Sequence, residues 1–117
     1  MLKIYHNPRC QKSRAGLKFI TDSNFKPEIR DYMKTGITVE ELKRLSLKMN
    51  IPPDKMIRTQ DPLFKGLKGK SFNQDEWFKI ISENPSLLQR PVIETKTRAI
   101  IAIPPEISIP LLNETTP

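Results

Sequence analysis

Cysteine is almost missing from this chain. Cys10 is its one cysteine among 117 residues. That count excludes an internal disulfide and any zinc site built on several thiolates, and it suits a reducing cytoplasm. No apolar run is long enough to span a membrane. The N-terminus reads as a short strand followed at once by charged residues, not as a signal peptide, so the expected compartment is the cytoplasm. Long Lys/Arg blocks, zinc-finger spacing and aromatics alternating with basic residues are also missing, so nucleic acid is not an expected partner. What remains is a net charge of +7, which favours anionic partners. Arginines scattered along a chain and gathered by folding suit a small oxyanion. Apolar residues make up 37% of the chain, enough for one modest core and a single domain, 1–117. A monomer is expected.

The lone cysteine sits in unusual company. The chain opens Met1-Leu2-Lys3-Ile4-Tyr5-His6-Asn7-Pro8-Arg9-Cys10-Gln11-Lys12-Ser13-Arg14. Leu2, Ile4 and Tyr5 suggest a strand, Asn7-Pro8 a turn, and Gln11 to about Thr21 a helix with Ala15, Leu17, Phe19 and Ile20 apolar. Cys10 therefore falls where a loop enters a helix. Unpaired N–H groups and the positive dipole end favour a thiolate there, and the thiolate is the nucleophile. Arg9, Lys12 and Arg14 add positive charge, and Ser13 is placed for its hydroxyl to reach back to the sulfur or to a bound anion. The ordinary alternative is a buried, inert cysteine. That case comes with apolar neighbours, which are absent here.

Pro27 to Tyr32 reads as a second strand, completing a right-handed β-α-β unit with parallel strands. Thr38 with Glu41 forms a capping box and starts a helix whose apolar face is Val39, Leu42, Leu45, Leu47 and Met49. Pro53 opens a short turn to Ile57, and Leu63–Leu67 a further short helix. Lys65, Lys68 and Lys70 belong to a solvated loop. Asn73 with Glu76 caps a helix from Gln74 to about Glu83, with Trp77, Phe78, Ile80 and Ile81 at core spacing. Val92–Thr95 and Arg98–Ile103 read as strands joined at Lys96-Thr97, a two-residue turn lacking the usual glycine. Ile107–Leu112 reads as a last short helix interrupted by Pro110, and 113–117 as a frayed tail. The order β-α-β, helical block, β-β-α gives an α/β class, a small mixed sheet with helices. The block from about 38 to 88 is a helical insertion, not a domain of its own.

This order, with a cysteine at the first strand–helix junction, resembles the thioredoxin-like fold. His6 to Arg14 resembles the signature of the glutaredoxin-linked arsenate reductase (ArsC) family, which also includes Spx-type regulators. Arg58 after the Pro53 turn, Arg90-Pro91-Val92-Ile93 and Pro104-Pro105-Glu106 extend the likeness over nearly the whole chain. The resemblance implies a cysteine oxidoreductase that binds no cofactor. Arsenate would be held by Arg58 and Arg90 and attacked by the Cys10 thiolate, with glutathione and glutaredoxin as external reductants. It implies a cis bond before Pro91, facing Cys10. His6, the lone histidine, reads either as support for the Cys10 thiolate, electrostatic or through a hydrogen bond ordering the loop, or as an ordinary polar loop residue. One departure stands out. Active members carry an arginine just before the Pro-Pro-Glu segment, where this chain has Ile103. Arg98 is about 15 Å away along an extended strand and does not replace it. Two alternatives follow: a family member acting on another oxyanion or on a disulfide, and a non-catalytic Spx-like regulator binding a protein. Against the second, the Cys-x-x-Cys switch common in that branch has Ser13 at its second position.

Overall fold

A computed structural model describes residues Met1–Thr115. They fall into two compact units. One contains Met1–Thr35 and the chain from Arg90 onward; the other is Gly36–Gln89.

The first unit is built on a four-stranded mixed sheet of order β2-β1-β3-β4. Strand β1 spans Leu2–His6, β2 Glu28–Asp31, β3 Val92–Thr95 and β4 Ala99–Ile101. Helix α1, Gln11–Asp22, connects β1 to β2, and those two strands run parallel with Ile4 opposite Ile29 and His6 opposite Asp31. Strand β3 runs antiparallel to both β1 and β4. This is the mixed thioredoxin-like sheet that the resemblance implied.

Alternation along the strands sets which side chains meet. Ile4 lies opposite Ile93, and both join Ile20 of α1, Ala102 and Leu111 in a buried cluster flanked by Leu2, Leu17, Phe25 and Ile100. Each such aliphatic chain contributes about 1.5–3 kcal/mol on burial. The other parity places Tyr5 and Glu94 together, and the Tyr5 hydroxyl donates to Glu94 at 2.7 Å with both residues fully buried.

Several boundaries differ from expectation. Strand β2 is shorter than Pro27–Tyr32, because Tyr32–Thr35 turns into a short helix, α2. Strand β4 covers three residues; beyond it Ala102 donates its N–H to the Pro91 carbonyl at 2.9 Å, and Pro104 follows with a cis bond. The Lys96-Thr97 turn forms without glycine. Among the described non-glycine residues only Asn24 and Asn50 have positive φ, so this is not a primed hairpin turn. Instead the Thr95 hydroxyl accepts from the Arg98 N–H at 3.1 Å and supplements the Thr95 N–H to Arg98 carbonyl bond at 2.8 Å. Pro110 does not interrupt the last helix. It sits in the first turn of α5, Ile109–Asn113, where its missing N–H costs nothing. The expected frayed tail at 113–117 includes Thr116 and Pro117, which lie outside the described residues; Asn113 is helical.

The second unit is helical. Helix α3, Val39–Met49, and helix α4, Gln74–Glu83, both begin with complete capping boxes, Thr38 with Glu41 and Asn73 with Glu76. Leu42 and Leu45 are buried, but Leu47 is 82% exposed. At about 100° per residue it falls on the far side of α3 from Leu45. Short 3-10 turns cover Pro53–Met56 and Pro62–Gly66.

Candidate active site

The turn after β1 is held by its own backbone and by Asn7. The Cys10 N–H donates to the Asn7 carbonyl at 3.0 Å, and the Arg9 N–H donates to Asn7 Oδ1 at 3.0 Å. Arg14 Nη1 donates to the Pro8 carbonyl at 2.9 Å. Cys10 becomes the N-cap of α1 with extended dihedrals, φ −96° and ψ 124°, and its carbonyl accepts the Arg14 N–H at 3.0 Å. Its thiol is partly buried.

The first turn of α1 contains no acidic residue, and the Cys10 side chain closes no ordinary capping bond. Burial pushes the Cys10 thiol up. Against it act a hydrogen bond from the Arg90 side chain, the Ser13 N–H, the Arg90 charge and the Lys12 N–H. Together they outweigh burial and hold the thiol below its ordinary value. Arg90 is itself 8% exposed, so its charge acts in a weakly screened setting.

Ser13 takes a different part from the expected one. Its buried hydroxyl is 2.7 Å from His6 Nδ1 and accepts the Asn7 N–H at 2.9 Å. It is occupied beneath the turn, and the Ser13 backbone N–H favours the thiolate instead. With one hydrogen arriving from Asn7, the hydroxyl can give its own proton to Nδ1 if the His6 ring is neutral and protonated at Nε2. Burial lowers the His6 pKa, and so does Arg14, while Asp31 and Ser13 act in the other direction; the net change is downward. His6 therefore orders the loop by a hydrogen bond, and a charged imidazolium is not what the site favours.

Arg90 and Pro91 enter from the strand side. The Arg90–Pro91 peptide bond is cis. Pro91 lies against helix α1 at Gly16, and a Cβ built there would run into the proline ring. Gly16 was not singled out from the sequence. A glycine inside a helix costs about 1 kcal/mol relative to alanine, and that local cost is the signal of a close approach.

The structure thus gathers Cys10, Ser13, His6, Arg90 and Pro91 in the first unit. Arg58 belongs to the second. There its Nη1 donates to Asp61 Oδ2 at 3.0 Å and to the Ser86 carbonyl at 3.3 Å, and Asp61 is itself buried. Arg98 is bound elsewhere, with Nη1 2.8 Å from Glu114 Oε1. Ile103 is half-buried between Ala102 and Pro104. Among the described residues no group of three or more His, Cys, Asp or Glu side chains is placed to hold a metal ion. No described helix is long and apolar enough to cross a membrane.

A strand, a turn, a cysteine at a helix start and a cis-proline beside it define a thioredoxin-like thiol site. The chain belongs to the ArsC family, whose sequence pattern matches residues 5–107. It is similar to an arsenate reductase of Haemophilus influenzae, 37% identical over 112 residues that cover 93% of this chain and 97% of the relative. The Escherichia coli arsenate reductase is 30% identical over 115 residues, covering 97% of this chain and 82% of that one. A solved structure, the arsenate reductase from Vibrio cholerae, superposes with a TM-score of 0.88 at 32% identity, covering 93% of this chain and 95% of that one.

Proposed function

We propose that this chain is a thiol-dependent arsenate reductase in which Cys10 is the nucleophile and the reductant is an external thiol. The observation that carries the reading is the partly buried Cys10 thiol, held toward its thiolate by Arg90 and by the N–H groups of Ser13 and Lys12. The thiolate attacks arsenic, an As–O bond breaks, and the oxygen leaves as water after protonation. Arg90 offsets the charge that gathers on the oxyanion. With one cysteine in the chain, the second sulfur comes from outside. A glutathione thiolate attacks Cys10 Sγ, the S–As electron pair passes to arsenic, and arsenite leaves with As(V) reduced to As(III). The resulting mixed disulfide is cleared by thiol exchange with glutaredoxin or a second glutathione, which restores the Cys10 thiolate. A reducing cytoplasm supplies those thiols. Arg58, which the family likeness also offers as an oxyanion ligand, belongs to the second unit and is engaged there by Asp61 at 3.0 Å.

The test couples the protein to glutathione, glutaredoxin, glutathione reductase and NADPH. Arsenate-dependent NADPH consumption is expected, and it falls to background in Cys10→Ser. Wild-type turnover no higher than that variant's contradicts the proposal.

A second reading, a substrate other than arsenate, is favoured by Ile103 and by the engagement of Arg98 with Glu114. One missing oxyanion contact costs about 2–4 kcal/mol in the transition state. If Ile103→Arg raises arsenate turnover by about two decades or more, arsenate is not what the natural site is tuned for. If turnover is unchanged, the missing arginine has no such weight.

A further inference from the structure

A second feature borders the nucleophile's turn. A cavity of about 330 Å³ is lined by Asn7, Pro8, Arg9, Asp31, Met33 and Lys34. It lies just past the carboxyl ends of the parallel strands β1 and β2, where His6 and Asp31 are register partners. Crevices at that edge of α/β sheets are common ligand sites, and the volume falls at the lower end of the range for small-molecule pockets, about 300–1,000 Å³.

Its charges are of both signs, and its cations, like several others of this basic chain, are unpaired among the described residues. Elsewhere Lys3, Lys18, Lys43, Arg58 and Arg98 each meet a carboxylate. Arg9 and Lys34 meet none among the described residues. Two open cations and the carboxylate of Asp31 therefore share one wall, with Pro8 and the partly exposed Met33 supplying apolar surface. A compact dianion such as arsenate would fill little of this volume and would be repelled by Asp31. A zwitterionic peptide with two carboxylates and one ammonium matches the pattern group for group. The wall ends at Arg9, the residue directly before the nucleophile in the chain. Asn7 fixes the Arg9 and Cys10 N–H groups, and consecutive Cα atoms are about 3.8 Å apart.

We propose that this cavity is the docking site of the external thiol, a small peptide thiol with the charge pattern of glutathione, its carboxylates on Arg9 and Lys34 and its ammonium on Asp31. The inference rests on Cys10 being the sulfur that an external thiol attacks. It does not need arsenate to be the substrate.

The test therefore avoids arsenate. Glutathione disulfide is added to the reduced protein. Cys10 thiolate attacks one of its sulfurs, the S–S bond breaks, a glutathione thiolate leaves, and Cys10 carries one glutathionyl group, followed by mass spectrometry. The same exchange is run with 2-hydroxyethyl disulfide, which has no charged groups. The quantity read is the ratio of the two rates. In Lys34→Glu the ratio falls by about tenfold, one exposed attraction lost and one repulsion gained, and the deficit shrinks at high salt. Lys34→Gln, a milder change that tests the site should the reversal disturb folding, lowers it by a smaller factor. Lys65→Glu, the same charge change in the other unit, leaves the ratio alone. Equal ratios in wild type and both Lys34 variants overturn the docking site, as does an equal fall in Lys65→Glu. An absence of arsenate turnover alongside a Lys34-dependent ratio would refute only the arsenate reading.

Discussion

Three helices of this protein begin in two different ways. Helices α3 and α4 start with complete capping boxes, and their first turns carry Glu40 and Glu41 or Asp75 and Glu76. Helix α1 starts at Cys10 with no closed side-chain cap and no acid in its first turn. The first two satisfy the orphan N–H groups and oppose the positive end of the dipole, each for about 1 kcal/mol. The third leaves both available to a thiolate. Stability is organised where the capping rule is obeyed, and the reactive group stands where it is not.

The comparison can be broken in three ways, from the largest effect down. Arg90→Gln removes the charged partner of the sulfur. Arsenate kcat/KM is expected to fall about ten- to a hundredfold, the worth of a charge-assisted bond, and the Cys10 titration to move up. A titration that stays in place would mean that the helix end alone stabilises the thiolate. Next, cap substitutions should separate the two kinds of helix start. Thr38→Ala and Asn73→Ala each cost about 1 kcal/mol in urea unfolding and leave the Cys10 titration where it was. Cys10→Ser supplies an ordinary cap and raises stability by about 0.5–1 kcal/mol while abolishing turnover. If Cys10→Ser destabilises, the N-terminus of α1 is not short of a cap. The smallest effect concerns His6, whose folded pKa lies below the ordinary 6.5. Its neutral form is favoured by the fold, so its contribution is complete above about pH 6.5. It is lost as pH falls from there through the folded value, since the unfolded chain takes up the proton first. Urea midpoints measured from pH 7.5 to 5 should show this decline, and His6→Asn should flatten it.

Much of this was legible from residues close in sequence. Both capping boxes, the strands on either side of Lys96-Thr97 and the position of Cys10 at the start of α1 all follow from local spacing. So does the separation of Arg98 from the Ile103 position. Other features depend on groups brought together only by folding. The Ser13 hydroxyl has two possible directions from one helix position, and the buried His6 ring and Asn7 N–H decide it. Gly16 has meaning only because Pro91, far along the chain, packs on it. Leu47 is apolar, which suggests the buried face, but the helical period puts it opposite Leu45 and it is exposed. Family spacing makes Arg58 a candidate oxyanion ligand, and the structure adds that Asp61, three residues on, receives its guanidinium.

The most direct test is the pH dependence of Cys10 alkylation by iodoacetamide, read against unfolded protein as the reference. A folded-state midpoint clearly below that of the unfolded thiol is what Arg90 and the open N-terminus of α1 predict. A midpoint equal to or above the unfolded one would contradict the account, leaving Cys10 an ordinary thiol at the start of a helix.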